Sequence, residues 1–192
     1  IEEDLDLQKP LVVSIPAAIS AYELYWDGIL LGGSGVVGDA TTEEVGLSSQ
    51  VVLLPKHRLY PGTHTLALRV SNHNNLSGAV DAPLAIGYFS AFTHNLIASQ
   101  GVALFLAGIF VITALFHMFI FLSPKRRTPH ILFSLFALSC AGHILVATYL
   151  SNWHIDLNLY YPLAFVADIF WFGMMALLPI FLLSHFRANY RQ

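Results

Sequence analysis

The chain has 192 residues, of which 56% are hydrophobic and 11% charged, with a formal net charge of −3. Soluble domains ordinarily carry about 25% charged residues, so a wholly water-soluble globule is excluded. The charge is also uneven: ten of the twelve acidic residues fall in 1–100, and beyond them only Asp156 and Asp168 remain. The distribution predicts a polar half joined to a bilayer half.

The start, "IEEDLDLQKP", has neither a basic nor an apolar leader region. With no initiating methionine, the chain reads as an internal segment of a longer protein, with one or more strands expected before Ile1. The polar half then carries strand signals. "PLVVSIP" is a β-branched run. "AYELYWDGILLG" places two apolar-rich arms around Asp27-Gly28, a pair that tolerates the two positive φ angles of a type I′ turn. "QVVLLP" reads as another strand. After the Pro61-Gly62 turn, Leu66, Leu68 and Val70 alternate with Thr65, Ala67 and Arg69. Short strands separated by Gly, Pro and Asn predict an antiparallel β-sandwich over 1–92.

One string in this half suggests another chemistry. Gly33 to Gly38 spell G-S-G-V-V-G, the glycine pattern of a dinucleotide-binding turn. That turn needs a following helix and an acidic residue about 20 positions on. Here "DATTEEVGLSSQ" is too short for a crossover helix, a strand follows at once, and no Asp or Glu lies between Val45 and Val80. The glycines therefore read as a tight loop between strands, and no cofactor is expected.

Residues 93–100 read as a linker. Three apolar runs follow, at 101–122, 131–150 and 162–184, the last interrupted only by Asp168. A bilayer core needs about 20 apolar residues at ~1.5 Å each, so each run is a predicted transmembrane helix. Lys125, Arg126 and Arg127 sit between the first two runs, and Arg187 and Arg191 follow the third; the loop at 151–161 has no Lys or Arg. The positive-inside rule puts 123–130 and 185–192 in the cytoplasm and the sandwich outside. The basic cluster thus reads as a topology and lipid-headgroup signal, and no nucleic-acid partner is expected. Trp153, Tyr160 and Tyr161 occupy the position of an outer aromatic belt.

Candidate functional residues fall in both halves. Tyr25, Trp26, His57, Arg58, Tyr60 and His73 combine rings with polar donors, which suits a carbohydrate or another small polar ligand. The alternative for Tyr25 and Trp26 is strand alternation, one ring packing inside. His57, His64 and His73 lack metal-ligand spacing, and the lone cysteine, Cys140, lies in an apolar run, so no metal site is expected. No Ser-His-Asp order, carboxylate pair or phosphate loop is recognisable, so no catalytic residue is assigned and this chain is not expected to be an enzyme. In the spans, Asp168 is costly to bury and so a functional candidate. By helical rise it lies about 10 Å below the outer loop, and His143 about 12 Å. Two readings stay open: a His143–Asp168 pair, or an Asp168 that snorkels outward and a His143 that bonds a backbone carbonyl. His117 lies nearer the inner face, too far from His143 in depth to share a haem with it. Ala103/Ala107 and Ala137/Ala141 are small-xxx-small pairs suited to close helix contact.

"YELYWDGILLGGSGVVG", "LPKHRLYPGTHTLALRVSNHNN" and "APLAIGYFSAF" resemble the galactose-binding-like jelly-roll domains of sugar-binding modules and bacterial receptors. "GIFVITALFHMFIFLSPKRRTPHILFSLFALSCAG" resembles the start of the bacterial seven-transmembrane receptors with diverse intracellular signalling modules. The resemblance implies a sensory receptor of the bacterial inner membrane, with a periplasmic jelly roll that binds a small molecule or carbohydrate. It also implies four further helices and a histidine kinase, diguanylate cyclase or phosphatase as output, all beyond Gln192. Membrane lipid is an expected partner, and a second copy of the chain, as a homodimer, is compatible with this class. The alternative is a membrane-anchored carbohydrate-binding or carbohydrate-processing accessory protein.

Overall fold

A computed structural model describes residues 6, 8–15, 20–47, 50–73, 83–123, 128–152 and 155–190. The chain forms two compact units, one comprising 1–97 with 151–161 and the other 98–150 with 162–192.

The first unit is built on six strands: β1 (Leu11–Ile15), β2 (Ala21–Trp26), β3 (Ile29–Ser34), β4 (Gln50–Leu53), β5 (Leu66–Ser71) and β6 (Ala85–Tyr88). They make two three-stranded antiparallel sheets, ordered β4-β1-β6 and β3-β2-β5. The most apolar strands hold the centres. Leu11, Val13 and Ile15 of β1 and Tyr22, Leu24 and Trp26 of β2 form one buried cluster with Val52, Leu54 and Leu59. Each such fully buried side chain contributes roughly 1.5–3 kcal/mol. Period-2 alternation places Glu23 and Tyr25 on the opposite face of β2, where Glu23 Oε2 accepts from the Tyr25 hydroxyl (2.7 Å) and from Arg69 (3.2 Å). Tyr22 is fully buried, its hydroxyl bonded to Gln50 Oε1, and burial pushes its phenol up to about 12.

The β2–β3 hairpin turns at Asp27 (φ 49°) and Gly28 (φ 78°), the double positive φ that the sequence pair predicts. Leu66, Leu68 and Val70 of β5 pack against the core, as their alternation predicts. The glycine string ends β3 and enters a pinched loop. Val36 bridges to Glu44 through reciprocal backbone bonds (2.8 and 3.1 Å), and Asp39 caps a turn by accepting from Thr41 and Thr42. No helix follows the glycines within 35–47. Gly35 is required there: its φ is +70°, and an added Cβ would stand 2.1 Å from the Glu44 carbonyl oxygen.

Strand β6 passes directly into α1 (Phe89–Leu122). Residues 93–100, expected as a linker, are therefore helical. No Gly or Pro interrupts 88–100, and Thr93 turns its hydroxyl back onto the Phe89 and Ser90 carbonyls. Phe92 lies against Gly87, where a Cβ would meet its ring at 3.1 Å.

The remaining helices are α2 (Thr128–Asn152) and α3 (Leu157–Tyr190). Asp156 caps α3 through Oδ1, which accepts from the Asn158 N–H at 2.7 Å. All three helices are long and apolar enough to cross a membrane. Their outward surfaces support that reading: Phe105, Ile112, Phe119 and Phe172 are 69–77% exposed. Water-soluble surfaces rarely carry so much contiguous apolar area.

Inside the second unit, small residues bring the helices together. Ala107 and Ala114 of α1 and Ser134, Ala137 and Ala141 of α2 are buried, and the Ser134 hydroxyl donates to the Ala114 carbonyl at 2.8 Å. Ala107, Ala137 and Ala141 come from the small-residue pairs seen in the sequence. On the other side of α2, Phe170 fills the space over Gly142, and Gly173 faces Ser139.

Candidate functional site

The hairpin end of the β3-β2-β5 sheet brings together rings and charges from β2, its turn and the loop that leads into β5. Trp26, the last residue of β2, turns inward and is 3% exposed. The His64 ring stacks on it at 4.8 Å between centroids, and Tyr60 tilts against the same ring at 4.5 Å. The Pro61-Gly62 turn returns the chain so that His64 lies under Tyr60.

Both His64 nitrogens meet acceptors. Nδ1 is 2.6 Å from Asp27 Oδ2, and Nε2 is 2.8 Å from the Tyr60 carbonyl oxygen. A neutral imidazole has only one N–H, so both bonds form together only in the imidazolium. The Tyr60 carbonyl and then the Asp27 carboxylate raise the His64 pKa. Asp27 is lowered in turn, chiefly by the Thr65 backbone N–H on Oδ1 (2.8 Å) and then by His64, with a further contribution from the Arg58 charge. Among the described residues, the Trp26 indole N–H has no hydrogen-bond partner.

Of the six residues expected at a ligand surface, this cluster contains Trp26 and Tyr60, with Arg58 acting on it through charge. His57 and Arg58 lie on the 3-10 turn Lys56–Arg58, where His57 is exposed. Tyr25 points to the other face of its strand. His73 follows the far end of β5: Leu66 pairs with Trp26 but Ser71 pairs with Ala21, about 17 Å along the strand at ~3.3 Å per residue. There the His73 backbone N–H donates to both oxygens of the buried Glu43 carboxylate (3.1 and 3.0 Å). Two residues central to the cluster, Asp27 and His64, were not candidates in the sequence. Asp27 carried a turn signal, and His64 was weighed only as a metal ligand.

The intramembrane candidates lie in the second unit. His143 Nδ1 is 3.0 Å from the Ala167 carbonyl oxygen on α3, and its ring tilts against Trp171 at 5.2 Å. Asp168 is the next residue along α3, and its side chain is exposed. The structure thus brings His143 to the depth of Asp168 but onto the neighbouring backbone carbonyl. At the other end of the helices, His117 Nδ1 and His130 Nδ1 are 3.1 Å apart, with Phe133 against His117 at 4.5 Å. Lys125, Arg126 and Arg127, on which the orientation rests, lie outside the described residues, as does Trp153. Among the described residues no three His, Cys, Asp or Glu side chains gather at one point.

No family model, curated protein or solved structure matches this chain. The class defined by its own architecture is a membrane protein with a small two-sheet domain and three candidate transmembrane helices.

Proposed function

We propose that this chain is the input segment of a membrane sensory receptor. The two-sheet unit is the extracytoplasmic sensor, a galactose-binding-like jelly roll that takes a carbohydrate or another small polar ligand. The helices pass its state to an output domain encoded beyond Gln192. The observation that carries this reading is the passage of β6 into α1 without an intervening residue. A 34-residue helix is about 51 Å long, against a hydrocarbon core of about 30 Å. The helix that follows β6 in the chain is thus also the first candidate span. Asp27 and the exposed Tyr60, with Arg58 beside them, form the sensor's proposed ligand surface over the buried Trp26 and His64 side chains.

The second reading is a membrane-anchored carbohydrate-binding accessory module. It is favoured by the same ring cluster, and it needs no relay.

The test uses the whole chain in lipid nanodiscs, with Cys140→Ala and a spin label on His94→Cys in the outer part of α1. Thermal shift against neutral sugars, uronic acids and small carboxylates finds the ligand. A receptor predicts that the stabilising ligand also changes the label's mobility. Stabilisation with an unchanged label favours the accessory module. No stabilisation by any of these ligands contradicts both readings.

A further inference from the structure

His117 and His130 meet where α1 and α2 are joined. His117 lies five residues before the end of α1, and His130 is the third residue of α2. Both are half-buried, and their Nδ1 atoms are 3.1 Å apart. The ring centroids are 5.3 Å apart. That exceeds the nitrogen separation by about the width of one ring, so the two nitrogens face each other along the line of centres. A chelate needs both lone pairs to converge on a third point, so this head-to-head contact is a hydrogen bond between imidazoles and not a metal site.

Such a contact holds a single hydrogen: one Nδ1–H donates and the other Nδ1 accepts. A neutral pair satisfies this. So does a pair with one extra proton, whose charge strengthens the bond. With two extra protons both Nδ1 atoms carry hydrogen, no acceptor is left, and two like charges face each other.

The surroundings do not offset that repulsion. On α1 the neighbour is Phe116, edge-on to His117 at 5.7 Å, and on α2 it is Phe133, at 4.5 Å. From α3, Phe181 lies on Phe133 at 5.0 Å, with His185 beside Phe181 at 5.9 Å. Arg187 follows on α3 in sequence, and Lys125, Arg126 and Arg127 stand in the connection between α1 and α2. No Asp or Glu occurs between Asp81 and Asp156. Asp168, the acidic residue of α3, is 13 residues from Phe181, about 20 Å at helical rise. A doubly charged pair thus has no carboxylate to balance it.

We propose that His117 and His130 form a proton-operated latch between α1 and α2, closed while the pair holds at most one extra proton and opened by the second. The two rings titrate as a unit in two macroscopic steps, and only the second parts the helices. With the connection in the cytoplasm, as the positive-inside rule predicts, the acid that opens the latch is cytoplasmic. The latch is independent of what the sandwich binds.

The test uses the whole chain in nanodiscs, with 15N-labelled histidine. NMR reads the nitrogen–nitrogen coupling across the His117–His130 bond as pH falls from about 8 to about 4. Dipolar EPR follows the helices in Cys140→Ala, with spin labels on the exposed positions Phe119→Cys and Leu135→Cys. The expected result is a coupling near neutral pH that is lost in acid. Over the same interval the labels move apart by about 1–2 Å, the scale of helix shifts in switching proteins. His130→Asn sets a neutral amide where Nδ1 stood, so it keeps a bond to His117 but takes no second proton. In that variant the label separation stays constant with pH. Absence of the coupling near neutral pH, its survival to about pH 4, a constant label separation in the parent chain, or the same acid response in His130→Asn would each overturn the proposal.

Discussion

Asp27 and His64, separated by 37 residues in sequence, meet at 2.6 Å through Oδ2 and Nδ1. Asp27 is the first residue of a hairpin turn, and His64 sits in the loop that leads into β5. Their contact closes one end of the β3-β2-β5 sheet, and it depends on two opposite protonation states.

The sign of its pH dependence follows. His64 is raised above its ordinary 6.5, so its contribution is complete below that value and is lost as pH climbs through the folded-state pKa. Asp27 is lowered below 3.8, so its contribution is present above that value and is lost as pH falls through the depressed one. The latch is therefore complete in weak acid, between the two. An NMR titration of His64 in the whole chain should give a pKa above 6.5, returning toward 6.5 in Asp27→Asn. Amide exchange at Thr65, whose N–H donates to Asp27, should speed up from neutral to alkaline pH beyond the general base-catalysed trend. A His64 pKa of 6.5 or lower contradicts the imidazolium assignment.

Two glycines should respond very differently to alanine. Gly28 has positive φ but nothing within 4 Å of an added Cβ, so Gly28→Ala should cost only the left-handed backbone term, about 1–2 kcal/mol. Gly35 adds a collision with the Glu44 carbonyl. Relieving it breaks the reciprocal Val36–Glu44 bonds, worth about 1 kcal/mol each, for a total of at least ~3 kcal/mol. Thermal melts with limited proteolysis of 35–46 check this. Equal effects would mean that the loop is not pinched.

The α1–α2 seam should be sensitive to volume and nearly indifferent to the Ser134–Ala114 hydrogen bond. Ala137 is fully buried, and Ala137→Leu should cost about 1–3 kcal/mol through overpacking. Ser134→Ala removes the bond to Ala114 and should cost only about 0.6 kcal/mol, the average for such bonds within membranes. Unfolding of the two variants in mixed micelles compares the magnitudes. A larger effect for Ser134→Ala would contradict a seam held by packing.

What the sequence disclosed depended on how local each signal was. Asp27-Gly28 identified its hairpin because both turn residues are adjacent. Leu66, Leu68 and Val70 identified the inward face of β5 through alternation alone. The three spans were visible in composition. The start of α1 was not, because "FSAFTHNLIAS" has polar residues without periodicity, and its helicity is inherited from the span it continues. The candidate site was least visible. Trp26 and Tyr60 drew notice as aromatic residues, but what joins them is His64, whose partner Asp27 is distant in sequence. For His143, helical rise gave the right depth on α3 but not the rotation that presents the Ala167 carbonyl.

The account rests on a sandwich and a first helix connection on opposite sides of a membrane. The most direct test is accessibility to a membrane-impermeant maleimide in intact bacterial spheroplasts expressing the chain with Cys140→Ala. Thr41→Cys probes the exposed loop of the sandwich, and Ser123→Cys probes the end of α1. The account predicts that Thr41→Cys is labelled at once and Ser123→Cys only after the membrane is permeabilised. Labelling of both positions before permeabilisation, or protection of Thr41→Cys, would contradict it.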